Sequence, residues 1–212
     1  MRRCATMSAD ESKPDSKNAS KSASDEEETP PERTVVTRGA IDLGGKRIEY
    51  VAKAGTVNLL DAKGKARASL FYVSYEVEGP PHEERPVTFC FNGGPGSSSV
   101  WLHLGAWGPK GVAFPDPHAP PPPPYALVDN DATLLDVTDL VFVDPVGTGF
   151  SRIVGKGEDT EFYGPRGDVE SVAELIRIWT TRNRRWNSPR YIAGESYGGT
   201  RVAALAPYLA DR

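Results

Sequence analysis

What the sequence lacks narrows its possible functions first. It has two cysteines, Cys4 and Cys90, too few for a disulfide framework. Cys90 stands inside the apolar run VTFCF and reads as a small buried hydrophobe rather than a reactive thiol. No segment approaches the ~20 apolar residues of a transmembrane helix. The start, MRRCATMSADESKPDSK, has two arginines with no apolar stretch behind them. It is therefore no secretory signal as it stands, Cys4 is a poor lipid-anchor site, and the chain as given reads as cytoplasmic. The sequon at Asn18 would matter only in a secreted eukaryotic protein. Positive charge is not in excess: 25 Lys and Arg against 29 Asp and Glu leave a net −4 and no footprint for nucleic acid. Arg182, Arg184 and Arg185 cluster where a helix should end, and there they suit the negative end of its dipole. Histidine is scarce, with His82, His103 and His118 the only three.

The sequence that is there falls into two parts. Residues 1–33 are rich in Ser, Lys, Asp, Glu and Pro, with an acidic run Asp25–Glu28, and are expected to form a disordered tail. Residues 34–212 are expected to form one domain. TVVTRGAIDL and KRIEYVAKA are strand-like runs joined by Gly44-Gly45, a hairpin signal, and RASLFYVSYEVEG alternates as a third strand. PVTFCFN, DLVFVD and RYIAG are instead short and nearly continuously apolar, as in strands covered on both faces of a largely parallel sheet. Between the last two, PRGDVESVAELIRIWTTRNRRW places Val169, Val172, Ala173, Ile176 and Trp179 at helical spacing. An antiparallel meander leading into a mostly parallel sheet with helices is an α/β architecture. The five prolines at 120–124 mark an extended surface loop.

Chemistry concentrates in three loops that each follow an apolar strand. Gly194-Glu195-Ser196-Tyr197-Gly198 fits G-x-S-x-G, the strained turn that lifts a serine hydroxyl above a sheet. Acyl transfer at such a serine needs backbone N–H donors for the oxyanion. One is the amide after the nucleophile, Tyr197, and Gly93-Gly94-Pro95-Gly96 is well placed to supply the other. The third loop, VDPVGTGFSR, satisfies neither phosphate-binding glycine pattern and reads as part of the rim where ligands bind. Nothing in the sequence calls for a metal or another cofactor.

NGGPGSSS, VDPVGTGFS and GESYGG, in that order, resemble the serine carboxypeptidase family, α/β-hydrolases that remove C-terminal amino acids. The form is similar to the bacterial branch, since LHLGAWGP follows the first motif and no extra residue separates Asp144 from Pro145. The resemblance implies an α/β-hydrolase fold and a peptide substrate with a free C-terminus. It makes Ser196 the nucleophile and the amides of Gly94 and Tyr197 the oxyanion hole. It assigns Asn92, the Gly93 amide and the Glu195 carboxyl to the substrate carboxylate. A Glu in that role must be neutral to donate, so activity should fall as it ionises. Plant and yeast members carry a second Glu where this sequence has Ala106, and Cys where it has Ser97.

The triad is incomplete by the same standard. In α/β-hydrolases the acid and the His follow the nucleophile, yet after Ser196 come only Asp211 and no histidine. His103 lies nearest the first glycine loop, where a packing or rim role is expected. Members of the family are longer, so the expectation is a truncated N-terminal half that is inactive alone. Two other readings remain open at this point. One is another α/β-hydrolase, such as a prolyl aminopeptidase or esterase, and the other a non-catalytic pseudoenzyme or binding protein.

Overall fold

The computed structural model describes residues 29–79, 84–113, 119 and 122–211. The expectations on Cys4, Asn18, His82, His118, the tail up to residue 28 and the first two prolines of the 120–124 run concern residues outside that set. At the end of the expected tail, Asn58 donates to the Pro30 carbonyl (2.6 Å) and accommodates Glu32, whose Oε1 accepts the Asn58 N–H (2.7 Å).

Three antiparallel strands open the domain: β1 (Thr34–Leu43), β2 (Lys46–Leu60) and β3 (Ala66–Val77). Gly44 and Gly45 join the first two with φ of 56° and 79°. Two positive φ values in a two-residue turn match the twist of the flanking strands, which is why glycines stand there. Strands β4 (Val87–Phe91) and β7 (Asp139–Val143) are buried throughout, while β9 (Arg190–Gly194) is partly exposed. They complete a sheet of order β1-β2-β3-β7-β4-β9, with β7, β4 and β9 mutually parallel and β7 antiparallel to β3. The remaining elements are small. Helix α1 (Val100–Leu102) runs into a π-helical turn (His103–Trp107), and β5 (Lys110–Val112) pairs β6 (Leu127–Asp129). Strand β8 (Arg152–Ile153) pairs β3, and the single-turn α2 (Asp159–Phe162) precedes α3 (Pro165–Arg182). Helix α4 (Tyr197–Ala210) follows β9.

Period-two alternation divides the strand residues between two cores. Phe89, Phe91, Val141, Val143, Leu70 and Tyr72 face α3 and α4, where Val172, Leu175, Ile176, Trp179 and Leu205 meet them. Trp179 stacks edge-on against Phe89 at 5.4 Å. Cys90, Leu140, Phe142 and Tyr75 face the other way, onto Ile41, Tyr50, Leu102 and Leu135. Cys90 is fully buried, and burial raises its thiol pKa far above the usual value, so it packs as a small hydrophobe.

Two expectations need correction. RYIAG was expected to be covered on both faces, but Arg190 and Tyr191 are exposed. Strand β9 lies at the edge of the sheet, pairs only β4 among the described residues, and so has fewer neighbours to cover it. A groove of about 530 Å³ opens beside it between α3 and α4, lined in part by Ile176, Trp186, Ile192, Tyr208 and Leu209. Arg185 is not a solvated cation at a helix end: it is 0% exposed and pairs with the equally buried Asp139 at 2.7 Å. The pairing is tertiary, which a helix-dipole argument does not see.

Candidate functional site

Ser196 sits at the turn from β9 into α4 with φ 57° and ψ −123°, a conformation costly for a residue with a side chain. The neighbours leave little choice of residue. A Cβ on Gly194 would lie 2.2 Å from the Gly198 carbonyl oxygen, and one on Gly198 would lie 2.5 Å from that of Phe91. Both contacts are with backbone, so only glycine fits. The turn is held by Glu195 N–H on the Phe91 carbonyl (3.3 Å) and by Gly198 N–H on that of Glu195 (2.8 Å). Ser196 and Glu195 are exposed.

The first glycine loop lies against this turn because β4 pairs β9 in register up to Phe91 and Gly194. A Cβ on Gly93 would sit 2.4 Å from the Tyr197 nitrogen and 2.8 Å from the Glu195 oxygen. Gly94 follows with φ 111°. Among the described residues no protein group accepts the backbone N–H of Gly93, Gly94 or Tyr197. Tyr197 begins α4, where an N–H has no partner within the helix. Two backbone segments carrying three N–H groups without an acceptor among the described residues thus meet beside a strained serine.

Asn92 and Glu195, expected to share one task, are in contact. Asn92 is 1% exposed, and its Oδ1 accepts the Leu102 N–H at 3.0 Å. That bond fixes the amide so that Nδ2 reaches Glu195 Oε2 at 3.2 Å. Ala106 lies in the π-helical turn that follows.

The third loop is fastened to the first by one carboxylate. Asp144 Oδ1 accepts the Ser99 N–H (2.9 Å) and Oδ2 that of Phe150 (3.2 Å). Burial pushes its carboxyl above the usual carboxylate range, and the two amides work against that. Gly149, with φ 48°, passes so close that an added Cβ would fall 1.9 Å from Asp144 Oδ2. Sequence reasoning placed this loop on the rim and missed the aspartate that locks it there. A carboxylate directly after a fully apolar strand was the available signal.

His103 belongs to the packing and is not part of this group. Its ring stacks on Phe142 at 4.7 Å, and Nε2 lies 2.7 Å from the Tyr75 hydroxyl. Burial lowers its pKa to about 4, so the ring is neutral near neutral pH. Between the ordinary value and about 4 the unfolded chain takes up a proton that the folded one refuses, so stability rises with pH there. Going from pH 7 to pH 4.5 should cost the wild type about 2–3 kcal/mol through this group. In urea titrations, His103→Phe is expected to remove that share of the acid sensitivity. An unchanged pH dependence in the variant would place the loss elsewhere. Among the described residues no cluster of three His, Cys, Asp or Glu side chains could hold a metal, and no helix is long and apolar enough to cross a membrane.

Comparison with known proteins identifies the family. The family model "Serine carboxypeptidase" matches residues 49–212. Serine carboxypeptidase-like 13 of Arabidopsis thaliana is 32% identical over 142 residues, 64% of this chain and 31% of that protein. Serine-type carboxypeptidase F of Aspergillus niger is 32% identical over 151 residues, 71% of this chain and 26% of the relative. The matched part therefore spans less than a third of either relative. Among solved structures, the peroxisomal alpha-beta-hydrolase Lpx1 of Saccharomyces cerevisiae overlays 85% of this chain and 42% of its own, at 11% identity and a TM-score of 0.39.

Proposed function

The chain belongs to the serine carboxypeptidase family, and from that premise we propose that it carries the nucleophile and carboxylate-binding parts of a serine-type carboxypeptidase site. The substrate is a peptide with a free C-terminus. Ser196 Oγ attacks the carbonyl carbon of the last peptide bond, and its proton passes to a base and on to the departing amino acid. The amides of Gly94 and Tyr197 receive the charge that develops on the carbonyl oxygen, where fixed donors are worth most. Asn92, the Gly93 N–H and Glu195 hold the terminal carboxylate one residue further on.

The observation that carries this reading is the Asn92–Glu195 contact at 3.2 Å beside three N–H groups that have no acceptor among the described residues. An esterase or an aminopeptidase has no use for a carboxylate clamp next to its serine. The base is the piece not supplied: no histidine follows Ser196 in these 212 residues, and His103 is committed to Tyr75 and Phe142. The 212-residue chain is therefore proposed to recognise C-terminal carboxylates without turning peptides over.

Isothermal titration with a blocked dipeptide, as the free acid and as the amide, tests both halves of the proposal. The acid is expected to bind about tenfold tighter or better, the worth of one charge-assisted hydrogen bond. Equal affinities would remove the carboxypeptidase reading. Hydrolysis above the level of a Ser196→Ala variant would overturn the claim that the chain alone is inactive.

A further inference from the structure

The geometry points to Arg201 as a positioning residue that aims the Gly93 N–H into the site. Arg201 lies on α4, one turn beyond Tyr197, and is 1% exposed. Its Nε sits 3.0 and 2.9 Å from the two carboxylate oxygens of Asp168, on the first turn of α3. Its Nη1 donates to the Asn92 carbonyl at 2.8 Å. The guanidinium also packs over two rings, 5.5 Å from the centre of Phe91 and 5.4 Å from that of Tyr197. One buried cation thus touches both halves of the site from behind.

The consequence follows from peptide geometry. The peptide joining Asn92 to Gly93 is trans and planar, so its C=O and N–H point in opposite directions. Arg201 holds the carbonyl on the buried side. The Gly93 N–H must then point away from the guanidinium, and no described protein group accepts it there. Packing alone does not call for this cation. A Met or Leu at 201 would fill the space between α3 and α4 without the cost of desolvating a charge. What neither could do is hold a carbonyl in place. Asp168 in turn fixes the guanidinium, so a carboxylate on α3 sets the orientation of a backbone donor in the loop after β4.

This inference rests on the carboxylate-binding reading only for what the aimed N–H does. Its geometry is tested separately, by ¹⁵N relaxation of the full 212-residue chain. In Arg201→Met the order parameter of the Gly93 N–H is expected to fall from about 0.85 to below about 0.6, with the β4 and β7 amides unchanged. Asp168→Asn keeps the shape and the bond to Asn92 but frees the guanidinium, and a smaller drop confined to the same loop is expected. It serves as the deciding variant if Arg201→Met does not fold. A Gly93 N–H as rigid as in the wild type, in either folded variant, would overturn the proposal. So would a loss of order spread evenly over the sheet, the mark of a merely structural role. With blocked dipeptides, the preference for free acid over amide should shrink about fivefold or more in Arg201→Met. Should the wild type show no such preference, the carboxylate reading fails while the relaxation result still decides the role of Arg201.

Discussion

Asp139→Asn should lower the unfolding free energy by about 3–5 kcal/mol, the cost of leaving a buried charge uncompensated. The Asp139 and Arg185 side chains are both 0% exposed. Oδ2 takes Arg185 Nη1 at 2.7 Å, while Oδ1 takes Arg85 Nε at 2.7 Å and the Val77 N–H at 3.0 Å. Asparagine keeps the volume but removes the charge. One amide oxygen would then have to serve Arg185, Arg85 and the Val77 N–H, and the other partners of Arg185, the Arg85 carbonyl and the Ser188 hydroxyl at 2.7 Å, carry no formal charge. The network also joins the start of β7 to the end of β3 and to the segments entering β4 and β9. Its loss reaches every strand on which the site is built. Urea titration at pH 7 measures the change, and a cost below about 1 kcal/mol would mean that the pair contributes little beyond its packing.

Local chemistry made much of the fold legible. Gly44-Gly45 announced the hairpin because two positive φ values admit few other residues. The helix over Pro165–Arg182 was readable because its buried residues recur at helical spacing. The β5–β6 pair, β8 and α2 were not readable, since two to four residues carry no measurable period. Arg185 and β9 were misread for a different reason. Burial of a cation and exposure of an apolar strand both depend on which segments become neighbours, and that is settled by tertiary packing.

The site divides along the same line. The glycines of both loops stood out because backbone there passes too close to backbone for a Cβ. Ser196 stood out through its G-x-S-x-G turn, Asn92 and Glu195 only through the family resemblance, and the structure brings the three to one place. The residues behind the loops were missed. Arg201 shares a helix face with Leu205, four residues on, and a charge at an apolar position was the signal. Asp168 was not singled out, since an acid in a first helical turn is favourable to the dipole and calls for no other account. Its partner thirty-three residues away gives it a different part.

Gly198→Ala is the substitution that should separate a working site from a folded scaffold. The added methyl would lie 2.5 Å from the Phe91 carbonyl oxygen and 3.3 Å from that of Asn92. Neither oxygen can yield without moving the end of β4 or the first glycine loop, since both belong to backbone. The cheapest relief is for the elbow and the loop to part, which draws Tyr197 away from Gly93 and Ser196 away from the unpaired donors. A stability loss of about 1–3 kcal/mol is expected for such overpacking, with the proposed preference for a free C-terminal carboxylate abolished. Gly199→Ala supplies the contrast. It is also inside α4, but nothing lies within 4 Å of its Cβ position. There alanine should be neutral or stabilising by up to ~1 kcal/mol through its higher helix propensity, with binding unchanged. Thermal melts and dipeptide titrations on the two variants read out both quantities. If both variants behaved alike, the close approach of elbow and loop would not be what holds the donors in place, and the proposed carboxylate clamp would need another support.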